Sequence, residues 1–346
     1  MDFKNIKNNL FKGYFNSTVS VLLITGLLYV FYHLFLYFIV NGVWQGDADT
    51  CRASSGFCWS FIRAKFQYIL VGLYPDDKLW RPALAFLLFA GFISYIKHPK
   101  HWHVKNFSYF GVILLLCAFL IRGGFFGLAL VDSEQWGGLL LTIIVSVCGV
   151  VVAYPLGVLL ALARRSSLPL LKYLSILYIE FIRGIPLISL LFMSAVLLPL
   201  FLPEGVEIGK LFRAQVAMIM FFSAYMAEIV RGGLQSIPNG QYEGAESLGL
   251  NYYQKMRKVV LPQALKVVIP PTVNTIIGFF KDTSLLVIIA LFDLMYTAKA
   301  AVTDPSWVGF SVEAYLFIAA IYFILCFMMG KYAQYLETYL QRESLS

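Results

Sequence analysis

Gln241–Pro262, QYEGAESLGLNYYQKMRKVVLP, is the one long polar interlude between apolar runs in the C-terminal half of a 346-residue chain. Within it Gly249 follows Glu243 by six residues, and Leu261-Pro262 stands twelve beyond Gly249. Asn251 is a natural helix N-cap. Gly249, two residues earlier, sits where a first helix would end, because left-handed backbone is cheap for glycine. A second helix is expected to run from Asn251 through Lys258 and to stop at Leu261-Pro262, since proline lacks the N–H that a helix interior needs. The stretch therefore reads as a polar helix–turn–helix strung between two apolar spans. Ala245 and Gly249 are small enough for a second protein to approach the backbone closely, whereas Lys255, Arg257 and Lys258 face water or anionic headgroups. The plainer alternative is a solvated interfacial hairpin with no partner.

The apolar runs around this hairpin extend over the whole chain. Sixty per cent of residues are apolar and only 13% are charged, with a mean hydropathy of +0.75. Soluble domains carry about 25% charged residues, so this is an integral membrane protein. Its apolar runs are continuous rather than alternating, which selects helices over a barrel. With about 20 apolar residues needed per crossing, the sequence predicts an all-α polytopic protein with eight spans. They fall at roughly 18–40, 82–96, 107–122, 137–163, 185–202, 211–230, 266–294 and 312–331.

The net charge of +8 is spread between spans rather than gathered on one domain, which argues against a nucleic-acid partner and leaves charge to set orientation. With both termini in the cytoplasm, the inner segments hold 17 Lys and Arg, Lys4, Lys7 and Arg342 among them. The outer segments hold 9, and Lys281 lies within a span. That bias puts the 241–262 hairpin in the cytoplasm. Val19–Val40 is too long for a signal-peptide core and is read as a retained first span. Cys117, Cys148 and Cys326 lie in spans as small apolar fillers. Cys51 and Cys58 share an outer loop at 41–81 and are read either as a bridge or as two free thiols. His98, His101 and His103 do not share one helix face, so they form a basic turn and not a metal site. A seam near residue 136 divides an N-terminal extension, 1–136, from a five-span core, 137–346.

No phosphate-binding G-x-x-x-x-G-K-[ST] loop is present, nor any H-E-x-x-H, C-x-x-C or G-x-S-x-G motif. The chain itself is therefore expected not to be an enzyme, and to bind no cofactor. Two charges in an apolar span, Lys281 and Asp282 of the KDTS run Lys281–Ser284, are costly there and ordinarily face a cavity or each other. Sixteen residues beyond Lys266, Asp282 lies about 24 Å along the helix. Two readings stay open for this run. A helix break there would form a substrate site, Asp282 meeting an ammonium group while Thr283, Ser284 and free N–H groups meet a carboxylate. Alternatively, Lys281 and Asp282 pair with neighbouring helices and hold the bundle. At the inner membrane edge, Glu180 with Arg183 and Glu228 with Arg231, each three apart, are read as structural ion pairs.

Together FSAYMAEIVRGGLQSIPNGQYEGAESLGL, YIEFIRGIPLISLLF and KDTSLL resemble the polar amino-acid branch of ABC importer permeases, over nearly all of 137–335. The three additional N-terminal spans are similar to those of the longer permeases of general and acidic L-amino-acid systems. The resemblance implies a five-helix permease core whose hairpin is the EAA loop, docking through Glu243, Ala245, Gly249, Leu261 and Pro262 on a cytoplasmic ABC ATPase dimer. ATP and magnesium would then sit on that partner. It further implies a second related permease subunit and a periplasmic amino-acid binding protein, with membrane lipids around the whole. Gly244 departs from the alanine usual there and weakens the first hairpin helix by up to about 1 kcal/mol. The competing reading is a self-sufficient secondary transporter or channel that uses Lys281 and Asp282 as its ion site. It predicts inverted repeats, and none is visible in the sequence.

Overall fold

The computed structural model describes residues 10–125, 127–203 and 205–345. Lys4, Lys7 and the side chain of Arg342, all counted in the charge balance, lie outside the described residues. The described chain is helical, with three isolated backbone bridges. It resolves into two compact units, Met1–Phe66 with Ala301–Phe317, and Gln67–Ala300 with Ile318–Ser346.

In the first unit, helix α1 (Tyr14–Phe35) runs on through a π-helical turn, Leu36–Val40. Its side chains are almost all exposed by this chain, as expected of a helix that meets lipid or another subunit. The 41–81 region, expected as a loop, is instead folded into helices. Asp47 caps α2 (Ala48–Ala53), its carboxylate accepting from the Thr50 N–H at 2.9 Å, and α3 spans Trp59–Val71, leaving this unit after Phe66. A disulfide joins Cys51 to Cys58 with their Cα atoms 5.6 Å apart. Val43 N–H donates to Phe57 O at 2.9 Å beside it, and Trp44 stacks on Trp59. Phe61, fully buried, lies against Trp307 and Phe310, and Lys65 pairs with Asp304.

The second unit holds α4 (Trp80–Ile96), α5 (Val104–Arg122), α6 (Gly138–Arg164) and α7 (Pro169–Gly184). It continues with α8 (Leu187–Phe192), extended by further helical turns to Phe201, and α9 (Lys210–Ser236). The hairpin follows as α10 (Asn239–Ser247), α11 (Tyr252–Lys255) and α12 (Leu261–Val267). Then come α13 (Ile269–Asp282), α14 (Leu294–Ala301) and α15 (Ser311–Leu345), the last running into both units. Its core is α6 against α9. Gly157 permits the approach, for a Cβ there would lie 2.5 Å from Met226 Cβ. Phe279 of α13, 0% exposed, closes the core with its ring centroid 4.0 Å from that of Phe222.

Among the described residues, six helices are long and apolar enough to cross a membrane alone: Tyr14–Val40, Asp76–Ile96, Gly138–Arg164, Lys210–Ser236, Ile269–Ile289 and Ser311–Leu340. The span expected at 107–122 is the shorter apolar helix Ser108–Arg122. That expected at 185–202 is one limb of a pair bent by 101°, Pro169–Gly184 with Leu187–Phe201. The bend falls at Ile185-Pro186, where proline pushes its predecessor into extended backbone: Ile185 has φ −100° and ψ 133°. The span expected over 266–294 ends at Ile289, because Ala290 turns left-handed at φ 52°.

Candidate functional site

In the hairpin, α10 ends in a paired hydrogen-bond motif. Gly249, at φ +72°, donates its N–H to Glu246 O at 2.9 Å, and Leu250 N–H reaches back to Ala245 O at 3.2 Å. These bonds satisfy carbonyls that a helix end otherwise orphans. Asn251 then opens the second arm with a reciprocal cap: its Oδ1 accepts from Gln254 N–H at 2.9 Å, and Gln254 Oε1 accepts from Asn251 N–H at 3.2 Å.

Contrary to expectation, Pro262 does not stop the second arm. The chain widens into a π-helical turn at Met256–Val260 and continues as α12 to Val267. The wider turn accommodates the N–H that Pro262 lacks.

The arms differ in what they show to water. Ala245 is buried and faces inward, so its small side chain packs the hairpin and is not offered to a second protein. Leu261 is half-buried against a cluster that includes Val230, Leu234, Met256, Val260 and Ala264. Tyr242 OH donates to Leu234 O at 3.0 Å, and Arg165 Nη1 donates to the same carbonyl at 2.9 Å. Glu246 pairs with Lys255 across the turn, and Gln263 Nε2 donates to Gln241 Oε1 at 3.0 Å. The hairpin is thus fastened to the C-terminal ends of α6 and α9. Glu243 and Pro262 are exposed, and among the described residues Glu243 has no ion-pair partner. The turn between the arms exposes Leu248 (79%), Tyr252 and Tyr253. A reading centred on polar residues and glycine missed these three; an apolar residue in the turn of a polar hairpin was the available signal.

Of the two charge pairs read from i,i+3 spacing, Glu228 with Arg231 forms and Glu180 with Arg183 does not. Arg164 Nη1 lies 2.9 Å from Glu180 Oε1 and 2.7 Å from Glu228 Oε1, and Arg183 Nη1 lies 3.6 Å from Glu228 Oε2. Arg231 Nη2 closes on Glu228 Oε2 at 2.7 Å, with Nε donating to both oxygens. The α6, α7 and α9 ends converge here, so contacts between helices override the local pairing of Glu180 with Arg183 while Glu228 keeps Arg231. Glu228, its side chain 15% exposed, holds three guanidinium groups at the end of the core. Arg164, unassigned from sequence, links both carboxylates.

At KDTS the α-helix gives way at Thr283 to a 3₁₀ stretch, Thr283–Ile289, and not to an open break. Thr283 is buried and donates its hydroxyl to Phe280 O at 2.7 Å. Lys281 is exposed, and Asp282 and Ser284 are half-buried. No carboxylate among the described residues pairs with Lys281, and no cation pairs with Asp282. No cluster of three or more potential metal ligands occurs among the described residues.

Residues 153–339 match the family "binding-protein-dependent transport system inner membrane component". The chain is 47% identical over 338 residues to the inner membrane amino-acid ABC transporter permease protein YhdY of Escherichia coli K12, covering 96% of this chain and 91% of that one. It is 34% identical to the glutamate/glutamine/aspartate/asparagine transport system permease protein BztC of Rhodobacter capsulatus, covering 98% of this chain and 94% of the relative. A solved amino acid ABC transporter with histidines superposes with a TM-score of 0.50 at 32% identity, covering 58% of this chain and 90% of that one. The chain belongs to the inner-membrane component family of binding-protein-dependent transport systems, and it is a multi-pass permease subunit of an amino-acid ABC importer.

Proposed function

We propose that this permease moves polar L-amino acids inward. The hairpin Asn239–Val267 would act as the lever through which a separate ATPase dimer drives the cycle, ATP and magnesium residing on that partner. The single observation that carries the docking reading is the exposed edge of the hairpin. Among the described residues Glu243 has no ion-pair partner, and Leu248, Tyr252 and Tyr253 are exposed at a turn closed by the Gly249 and Leu250 N–H bonds. Aromatic and aliphatic anchors beside one charge are what a partner's pocket takes up. The inner-edge cluster on Glu228 and the Arg165–Tyr242 bond then carry motion of the hairpin into α6, α7 and α9. Charge bias supports cytoplasmic termini.

KDTS is the proposed substrate path, supported by Lys281 and Asp282 having no protein counter-ions among the described residues. The acidic and amide substrates in the relative's name support the polar choice. A second, related permease, a periplasmic binding protein and surrounding lipids complete the assembly, residues 1–136 forming an extension to the 137–346 core. The test is uptake against ATP hydrolysis in vesicles holding the assembled importer. Glu243→Lys, at normal expression, is expected to lower uptake per ATP; unchanged uptake refutes the docking role. Asp282→Asn is expected to raise the substrate KM more than it lowers the maximal rate, and an unchanged KM returns KDTS to a structural role.

A further inference from the structure

Three chain segments meet backbone to backbone at the end of α6 opposite the Glu228 cluster, and one of them comes from the extension. From the extension, Gly72 (φ +69°) forms an antiparallel bridge with Trp136, and a Cβ on it would lie 2.5 Å from Gly137 Cα. A Cβ on Gly138 (φ +60°) would lie 2.1 Å from Ile69 O. From the far side, Phe292 O accepts from Gly138 N–H at 2.7 Å, Leu294 N–H donates to Thr142 Oγ1 at 3.0 Å, and Thr297 Oγ1 donates to Ile69 O at 3.3 Å. Ile69, Thr142, Asp293, Leu294 and Thr297 are all fully buried. Asp293 further fixes this point by capping α14, accepting from Met295 and Tyr296 N–H groups at 3.1 and 2.9 Å.

Immediately before this junction stands Ala290. It is the one non-glycine residue at positive φ among the described residues, and it is exposed. Backbone held in a sparsely populated region marks a place where a structure stores strain at a switch or joint. On its N-terminal side lies the 3₁₀ stretch Thr283–Ile289, a poorer hydrogen-bonded helix that often marks a hinge.

We infer that the 69–72 segment of the extension anchors the end of the KDTS span to the first helix of the permease core, with Ala290 as the hinge on which Thr283–Ile289 moves during the cycle. The anchor explains why the close approach is made of glycines, since any side chain at 72 or 138 forces the backbones apart. It holds whether or not Asp282 touches substrate.

The test uses the importer assembled with its native partners. Gly72→Val is expected to speed amide exchange at Gly138 and Leu294 about tenfold and to lower uptake per ATP several-fold. Gly91→Val, on α4 with open space around its Cβ, is expected to do neither. Ala290→Gly, which adds no bulk and suits the turn, is expected to alter uptake per ATP several-fold while exchange at Leu294 stays at the wild-type rate. Unchanged exchange at Gly138 and Leu294 in Gly72→Val, or the same change in Gly91→Val, overturns the anchor. An unchanged uptake-to-ATP ratio in Ala290→Gly overturns the hinge, and it does so even if Gly72→Val fails to assemble.

Discussion

Gly249 offers a test that separates two physical reasons for a glycine in the hairpin turn. Its φ is +72°, and a Cβ built on it meets nothing within 4 Å. Substitution therefore costs backbone strain alone in this chain. Left-handed geometry costs alanine roughly 1–2 kcal/mol and a β-branched residue more, whereas asparagine adopts it at a small fraction of that. If the turn's backbone is what coupling requires, function falls in the order Gly, Asn, Ala, Val. At about 1.4 kcal/mol per tenfold, the Val variant loses at least about tenfold in the population of the formed turn. If instead Gly249 is small because a partner's backbone presses on it, the bulkier Asn is worse than Ala. Two readouts follow: uptake per ATP in reconstituted vesicles, and amide exchange at Gly249 and Leu250, whose N–H groups close the turn. An Asn variant that performs worse than Ala in both, or a Val variant equal to wild type, refutes the backbone argument.

Other substitutions test neighbouring parts of the account. Gly244 lies inside α10 with nothing near its Cβ, so Gly244→Ala is expected to stabilise the hairpin by up to about 1 kcal/mol, read as slower amide exchange in α10. Glu228→Ala leaves three guanidinium groups without their shared carboxylate and is expected to cost about 3 kcal/mol in detergent unfolding, the lower end for a buried pair. Glu180→Ala, its side chain 56% exposed, is expected to cost under about 1 kcal/mol. Joint replacement of Cys51 and Cys58 by Ala is expected to destabilise their lobe by roughly 2.5 kcal/mol, from the chain-entropy relation for a short loop, seen as local proteolytic sensitivity between 41 and 61. The hydrogen bond from Lys65, with a second from the Ser306 N–H, holds the Asp304 carboxyl below its ordinary range. Its contribution is therefore full above the ordinary Asp value and lost as pH falls below it. Lys65→Ala is expected to flatten the acid-side dependence of that lobe, and an unchanged acid profile counts against the pair.

What could be read from residue order alone followed physical range. Spans at 18–40, 137–163, 211–230 and 312–331 are runs of apolar residues, and the bilayer's demand for internal backbone bonding turns such runs into helices. The Gly249 terminus and the Asn251 cap were legible because both are set within a few residues. The Glu228–Arg231 pair was legible for the same reason; the partner of Glu180 was not, since Arg164 reaches Glu180 and Glu228 only once α6, α7 and α9 have packed. The inward face of Ala245 likewise depends on where the second arm folds back. Pro262 misled because a π-helical turn absorbs its missing donor, an accommodation that local propensity does not encode. The folded lobe at 41–61 draws its apolar partners Trp307 and Phe310 from some 250 residues later, beyond any window of periodicity.

The central claim is that the hairpin joins this permease to a separate ATPase. Gentle purification of the tagged chain from native membranes tests it most directly. The account predicts a stoichiometric ATPase, lost when Glu243→Lys and Gly249→Val are combined while the chain itself remains folded. A chain that purifies alone and still moves amino acid without ATP, or an ATPase retained in full by the double variant, would contradict it.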